Sequence, residues 1–170
     1  MPVAFVDNFI NFSHMILMET TLTWTCKPFA ELTVFELYAA LQLRSEVFVV
    51  EQNCVFQDID DKDQYSWHLM GWHNNLLAAY TRLVPAGISF TEVSIGRVVT
   101  SPKMRKSGAG RSLMKKSIET TYRIFGNTPI RIGAQLYLKK FYESFGFQQS
   151  SDIYLEDGIE HIEMLLAELS

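Results

Sequence analysis

The sequence has few of the residue types that staple or anchor small proteins. Its two cysteines, Cys26 and Cys54, belong to no CxxC pair and to no Cys/His cluster with zinc spacing, so we expect neither a structural metal nor a disulfide framework. So few cysteines favour a reduced, cytoplasmic protein. No apolar run reaches the ~20 residues that cross a bilayer, which argues against a membrane partner. The net charge of −4 argues against a nucleic acid partner.

A single domain is expected, because no repeat or Pro/Gly/Ser-rich linker divides the 170 residues. Residues 1–18 are apolar but carry polar residues between Asp7 and His14, and they lack a basic segment and a small-x-small cleavage site. They therefore do not match a signal peptide. We predict an N-terminal extension over residues 1–21 and one domain over residues 22–170. A start at Met15 or Met18 and docking of this segment on a second copy remain open, and so does a homodimer.

The hydrophobic pattern predicts an α+β domain. Alternation predicts strands at 22–26, 65–73, 76–83, 92–100, 130–134, 147–156 and 159–166. Helical spacing predicts a helix that starts near Thr33 and further helices at 108–125 and 136–145, with a loop at 52–64. The segment 92–134 is a βαβ unit, and its two strands should be parallel because such crossovers are right-handed.

A glycine-rich turn opens the helix at 108–125 and gives the strongest chemical signal. It is formed by Arg105, Lys106, Ser107, Gly108, Ala109 and Gly110, with Arg111 and Ser112 beginning the helix. Such a turn lets backbone N–H groups close on an anion at the positive end of the helix dipole. Leu113 excludes the dinucleotide pattern GxGxxG, and Arg111 stands where the Walker pattern needs lysine.

The charge around this turn supports a phosphate site. Between Val93 and Ile118 there are seven basic residues and no acidic residue, in a chain that is acidic overall. A solvated helix face would give the same run, but the run coincides with the phosphate turn. A polyanionic ligand is the better interpretation.

Three segments together resemble the GNAT superfamily of acetyl-CoA-dependent N-acyltransferases. They are the strand at 94–99, the pattern R-x-x-G-x-G at 105–110 and the segment LKKFYESFGF at 138–147. The turn pattern alone is moderately specific, but it is strong when a Tyr-x-x-x-Gly-Phe helix follows across a strand.

The start of the domain resembles the ElaA-type branch of this superfamily. The similar segments are LRSEVFVVEQ at 43–52, QDID at 57–60 and IGRVV at 95–99. The resemblance spans about residues 22–166. It implies a mixed, mostly antiparallel sheet flanked by helices, in which the parallel βαβ unit is splayed to admit CoA.

The resemblance also implies roles for individual residues. Val98 and Val99 would pair their backbone with the pantetheine arm like an added strand, and the turn at 105–112 would hold the pyrophosphate. Gln135 stands where many relatives have an asparagine that bonds pantetheine. Tyr142 matches the tyrosine that approaches the acetyl thioester sulfur and would protonate the departing thiolate; a core tyrosine is the alternative.

The general base and the acceptor side are less determined. Glu92 is the predicted base, with Ser94 as the register alternative, and Glu51, His68, His161 or a water chain as further candidates. The acidic loop between Glu51 and Asp63 would attract a cationic amine, unless it is merely solvated. The predicted acceptor-side residues are Arg44, Glu51, Asp58, Asp60, His68 and Arg97.

Two other functions remain open beside transfer of an acetyl group from acetyl-CoA to a primary amine. Arg44, the acids at 58–61, the segment 80–85 and Arg97 also resemble acyl-homoserine lactone synthases. Those enzymes carry a glutamate where this chain has Ser94. A module that binds acyl-CoA without turnover is the third possibility.

Overall fold

A computed structural model describes residues 21–168 of the chain. Residues 1–20 of the predicted extension lie outside the described residues. The strands are β1 (Thr23–Pro28), β2 (Trp67–His73), β3 (Leu76–Val84), β4 (Val93–Thr100), β5 (Ile130–Gln135), β6 (Gln148–Gln149), β7 (Tyr154–Glu156) and β8 (Ile159–Leu166). The helices are α1 (Val34–Arg44), α2 (Ala109–Phe125) and α3 (Lys139–Glu143). No helix among residues 21–168 combines the length and apolarity needed to cross a bilayer.

The strands form one sheet in the order β1-β2-β3-β4-β5-β8-β6, and β7 also pairs with β8. The β4/β5 pair is parallel and the other described pairs are antiparallel. The parallel pair has only two partnered positions, Val93 with Ile130 and Ser94 with Arg131. Beyond them β4 and β5 diverge. The expected α+β fold, with one parallel pair in an open and mostly antiparallel sheet, is confirmed.

Both long helices begin where the sequence predicts. At α1, the Thr33 hydroxyl accepts the N–H of Glu36 at 3.2 Å while the Glu36 carboxylate accepts the N–H of Thr33 at 2.9 Å. This capping box supplies partners for two otherwise unpaired donors. Residues Ser45–Glu51 continue α1 as a π-helical segment. In α2, Leu113 and Met114 are fully buried against the sheet, as the apolar spacing predicts.

Two predicted elements are shorter than expected. The predicted strand 147–156 is divided into β6 and β7, because the Ser151 hydroxyl accepts the N–H of Glu163 at 2.8 Å in place of a strand carbonyl. The predicted helix 136–145 is a 3₁₀ turn, Leu136–Leu138, followed by the short α3. Gly146 ends this segment at φ +92°, the left-handed conformation that favours glycine after a helix.

A group of buried and partly buried ion pairs holds the loop 57–63 against the sheet and α1. We call it the arginine–aspartate network; its members are Arg44, Arg82, Arg97, Asp58, Asp60 and Asp63. Arg44 is fully buried and donates to Asp58 and to Asp63, each at 2.8 Å. Arg82 of β3 donates to the same Asp63 oxygen at 2.9 Å. One loop carboxylate therefore ties α1 to the sheet.

The charge of Asp63 makes this tie sensitive to pH. Burial alone would raise the pKa of Asp63, but the hydrogen bonds and charges of Arg44 and Arg82 hold it below its ordinary value. A carboxyl whose pKa is lowered by folding adds stability above its unfolded pKa, and that stability is lost as the pH falls. We therefore expect the free energy of unfolding to decline below about pH 4.

The variant Asp63→Asn should lower the free energy of unfolding at pH 7 by ~3–5 kcal/mol, because it leaves two buried guanidinium groups short of a negative partner. Urea titration at pH 7 and at about pH 2.5 measures this, and the difference between variant and wild type should shrink at the lower pH, which lies below the unfolded pKa of an aspartate. Asp61→Asn is the matched control. Asp61 is exposed at φ +60° in the same loop, so its change should stay within ~0.5 kcal/mol. Equal effects of the two substitutions would contradict the role of Asp63.

Candidate active site

A cavity of about 1050 Å³ opens where β4 and β5 diverge. Its walls include Ser94–Thr100 of β4, Gly133–Gln135 of β5, parts of the segment 47–57 and side chains from Tyr154 to Glu163. A cavity of this volume is large enough for an organic ligand of cofactor size. The edge of β4 that faces β5 has no strand partner beyond Ser94 in the described structure. Its backbone groups can therefore bind an extended ligand as a sheet edge binds another strand.

Val98 and Val99, predicted to bind the pantetheine arm, both line this cavity. They follow a bulge in β4. Between the pairs Arg82/Gly96 and Tyr80/Val99, β4 contains one residue more than β3. The bulge turns the strand where the cavity opens.

The glycine-rich turn lies at the start of α2, as predicted. Gly108 has φ +83° and Lys106 has φ +64°, so the chain makes two left-handed steps before the helix. The N–H of Ser112 donates to the Gly108 carbonyl at 3.1 Å, and the three amides before it in α2 have no acceptor within the helix. A Cβ on Gly108 or Gly110 would meet open space. These features fit a phosphate group at the positive end of α2.

Polar side chains of the turn already have protein partners. Arg105 donates to both carboxylate oxygens of Glu51 at 2.6 Å, which joins a predicted cofactor residue to a predicted acceptor residue. The hydrogen bond from Arg105 lowers the pKa of Glu51, so Glu51 is a weak proton acceptor. The Ser107 hydroxyl donates to the Met104 carbonyl at 2.6 Å and braces the turn.

Arg111 points away from the turn and toward the end of α3. Its guanidinium donates to the Ser144 hydroxyl at 3.0 Å and lies 4.9 Å from the centre of the Phe145 ring. The backbone of the turn, rather than the Arg111 side chain, is therefore the feature best placed for an anion.

Tyr142 and Gln135 both line the cavity. The ring of Tyr142 packs edge-on against Phe141 and Phe147, with ring centres 5.1 and 6.2 Å away, and Tyr142 is only 5% exposed to solvent. Burial raises the pKa of Tyr142, so the phenol keeps its proton at neutral pH and can act as a donor. Gln135 donates from its side-chain amide to the Gln52 side chain at 3.3 Å.

The predicted base Glu92 lies just before β4 and does not line the cavity. Arg131 donates to both of its oxygens, at 2.5 and 2.8 Å, and these hydrogen bonds lower the pKa of Glu92. His161, in contrast, lines the cavity from β8. Its Nδ1 lies 2.9 Å from the Ile159 carbonyl, so Nδ1 carries the hydrogen and Nε2 can accept a proton.

The predicted acceptor-side residues divide into two groups. Glu51, Asp60 and Arg97 line the cavity, whereas Arg44, Asp58 and His68 are buried and do not line it. His68 is fully buried between the Tyr80 hydroxyl at 2.7 Å and the Asp63 carbonyl at 3.0 Å. Burial lowers its pKa, so it is a neutral core histidine. The acidic loop is therefore mainly a partner of arginines, and little of its charge faces an incoming amine.

Sequence reasoning missed Arg82 and Asp63 as partners in the network. A signal for Arg82 was present, because an arginine inside an apolar strand needs a carboxylate when it is buried. Its partners come from a loop with no periodicity, so no pattern could identify them. Sequence reasoning also missed Glu163 as a residue that lines the cavity. The signal was present, because Glu163 stands two residues after His161 in β8 and therefore lies on the same face of the strand.

The chain is similar to known proteins over most of its length. Residues 39–168 match the family described as acetyltransferase (GNAT) domain. The protein ElaA of Escherichia coli is 44% identical over 145 residues, which cover 84% of this chain and 95% of ElaA. The crystal structure of E. coli ElaA has a TM-score of 0.80 at 43% identity, covering 85% of this chain and 99% of that one.

A solved acyl-CoA N-acyltransferase from Pseudomonas aeruginosa is similar as well. It is 44% identical, with a TM-score of 0.83, and the match covers 86% of this chain and all of that one. A Bacillus subtilis acetyltransferase in complex with CoA shares the fold at 19% identity and a TM-score of 0.60. The chain therefore belongs to the GNAT acetyltransferase family, and it is an acyltransferase.

Proposed function

We propose that this member of the GNAT family transfers an acetyl group from acetyl-CoA to a primary amine of a small molecule or peptide. The observation that carries the proposal is the continuity of one site. The edge of β4 without a strand partner borders the cavity, Arg105 of the glycine-rich turn lines the same cavity, and the turn leads directly into the N-terminus of α2. An extended thioester with a pyrophosphate at one end matches such a site.

The protein groups fit CoA. The N–H groups at the start of α2 would donate to the pyrophosphate oxygens, and the open space beside Gly108 and Gly110 allows these oxygens to approach the backbone. Val98 and Val99 would hold the pantetheine arm at the free edge of β4. Gln135, at the end of β5, would contact the arm from the opposite wall.

The reaction is a direct transfer. The neutral amine nitrogen attacks the acetyl carbonyl carbon, a C–N bond forms, the C–S bond breaks, and CoA leaves as a thiolate. Tyr142 would donate its phenolic proton to the thiolate, and the proton lost by the amine would restore the phenol through solvent or a group on the acceptor wall. A cavity residue that stays protonated at neutral pH suits this role.

The test of this function is a panel of small amines, peptide N-termini and lysine peptides, with detection of the thiol released from acetyl-CoA. We expect thiol release that requires an amine and rises with pH as the amine loses its proton. Binding of acetyl-CoA without thiol release for any amine would instead support a non-catalytic module. Release that needs S-adenosylmethionine would identify an acyl-homoserine lactone synthase.

The phosphate assignment predicts a charge-specific effect at Gly110. The variant Gly110→Asp would place a carboxylate in the open space at the start of α2. Affinity for acetyl-CoA should fall roughly tenfold or more, a change that corresponds to ~1.4 kcal/mol in binding free energy. The melting temperature should hold or rise, because an acid in the first turn stabilises a helix.

Calorimetry with acetyl-CoA measures this effect, and Gly110→Asn is the control because it has the same size without the charge. The asparagine variant should lose less affinity than the aspartate variant. Equal losses of affinity would mean that the ligand needs the open space rather than the absence of a negative charge. Unchanged affinity in both variants would contradict the assignment of the phosphate site to this turn.

Tyr142→Phe removes one hydroxyl and keeps the ring, so the packing against Phe141 and Phe147 should survive. If the hydroxyl protonates the thiolate, kcat should fall by ~10- to 10³-fold. The affinity for acetyl-CoA should change by less than roughly tenfold, because one hydrogen bond contributes about 0.5–1.5 kcal/mol. Steady-state kinetics and calorimetry on the same variant separate the two quantities.

Tyr122→Phe is the matched control, because Tyr122 lies on α2 and its hydroxyl donates to the Ala167 carbonyl at 3.4 Å. This control should keep the kcat of the wild type. A Tyr142→Phe variant with normal kcat and normal affinity would exclude the acid role, and a lowered melting temperature alone would make Tyr142 a core residue.

A further inference from the structure

Arg97 has a backbone conformation that is unfavourable for its residue type. It sits inside β4 at φ +53°, in the left-handed region where a Cβ collides with the backbone. Such residues persist only where surrounding contacts hold them. At this position the strand carries its extra residue, between the pairs Arg82/Gly96 and Tyr80/Val99. The bulge therefore depends on whatever holds Arg97.

The side chain of Arg97 is held by two aspartates of the loop 57–63. Its Nε donates to Asp58 Oδ1 at 2.7 Å, and its Nη2 lies 3.1 Å from the Asp58 carbonyl and 3.3 Å from Asp60 Oδ2. Asp58 is fixed in turn, because the fully buried Arg44 donates to its other carboxylate oxygen at 2.8 Å and to its carbonyl at 3.0 Å. Asp58 thus joins α1 to the bulge.

The bulge sets which residues of β4 meet the cavity. Side chains alternate along a strand, so removing the extra residue would shift Val98 and Val99 by one position relative to β3 and exchange their faces. The backbone groups of the same residues would shift with them. The wall on which the thioester is expected to lie would then have a different pattern of donors and acceptors.

We propose that Arg97 is a positioning residue, which acts through its ion pair with Asp58 to hold the β4 bulge in register at the acyl end of the site. This inference rests on the proposed function, because it assumes that acetyl-CoA binds along β4. Arg97 itself need not touch the acyl donor or the amine. Its guanidinium acts by keeping a left-handed residue in place.

Glycine at position 97 separates this role from direct contact. Arg97→Gln loses the ion pairs but still has a Cβ, so positive φ stays unfavourable at this position. Arg97→Gly also loses the ion pairs, but glycine adopts positive φ without strain. We therefore expect kcat or acetyl-CoA affinity to fall roughly tenfold in Arg97→Gln. The free-energy cost of a left-handed conformation for a residue with a Cβ would lower the population of the native bulge by about that factor. Arg97→Gly should recover most of that loss.

Amide hydrogen exchange over residues 96–99 is measured on the same variants and does not depend on turnover. Exchange should be faster in Arg97→Gln than in the wild type and should return toward wild-type rates in Arg97→Gly. Asn74→Gly is the matched control, since Asn74 has φ +54° in the turn between β2 and β3. It should leave acetyl-CoA affinity and exchange at 96–99 unchanged.

The order of the two variants decides the proposal. An Arg97→Gly variant as impaired as Arg97→Gln, or more so, overturns it and makes Arg97 a direct contact of substrate. If Arg97→Gln fails to fold, Arg97→Met, which also lacks the charge and keeps a Cβ, replaces it in the same comparison. A wild-type protein that binds no acetyl-CoA would refute the proposed function. The exchange rates would still test whether the Arg97 ion pair stabilises the β4 bulge.

Discussion

The divergence of β4 and β5 is the constraint on which the site depends. The two strands pair at only two positions and then separate, which leaves backbone donors and acceptors of β4 without a strand partner. Buried backbone groups need hydrogen bonds, so this open edge persists only because the cavity beside it admits solvent or a ligand. The helix α2 connects the same two strands, and its N-terminus therefore lies at the end of β4. One topological feature therefore places the open edge of β4 and the N-terminus of α2 next to each other.

The arginine–aspartate network fixes the position of the loop 57–63 relative to α1 and the sheet. Three arginines from α1, β3 and β4 meet three aspartates of one loop, so the buried charges balance. Buried pairs of this kind contribute little net stability compared with apolar packing, although breaking one is costly. Their value here is geometric. They specify where an otherwise irregular loop sits, and they connect α1 to the bulge of β4 through directional bonds that apolar contacts would not provide.

The sequence predicted the elements that depend on local patterns. The capping box at Thr33, the glycine turn before α2 and Gly146 after α3 all rest on conformational preferences of single residues, and the structure contains each of them. It did not predict the division of the strand 147–156, which depends on a hydroxyl of Ser151 that meets β8 only after folding. For the same reason, the acids of the loop 57–63 looked available to an amine. Their arginine partners are far away in sequence, and only tertiary structure brings them together.

The proposed anion site belongs to an acidic protein, and the local charge around the turn reconciles the two. A net charge of −4 repels a polyanion at long range, but salt screens charges beyond roughly 8 Å at physiological ionic strength. The local field at the start of α2 therefore decides binding. The charge of Arg105 is paired with the carboxylate of Glu51, whereas Arg111 donates to the neutral hydroxyl of Ser144 and keeps its charge. The first amides of α2 have no acceptor within the helix and need no side-chain ordering, so in the proposed site they would bind a phosphate at a smaller entropic cost than the long basic side chains of the turn.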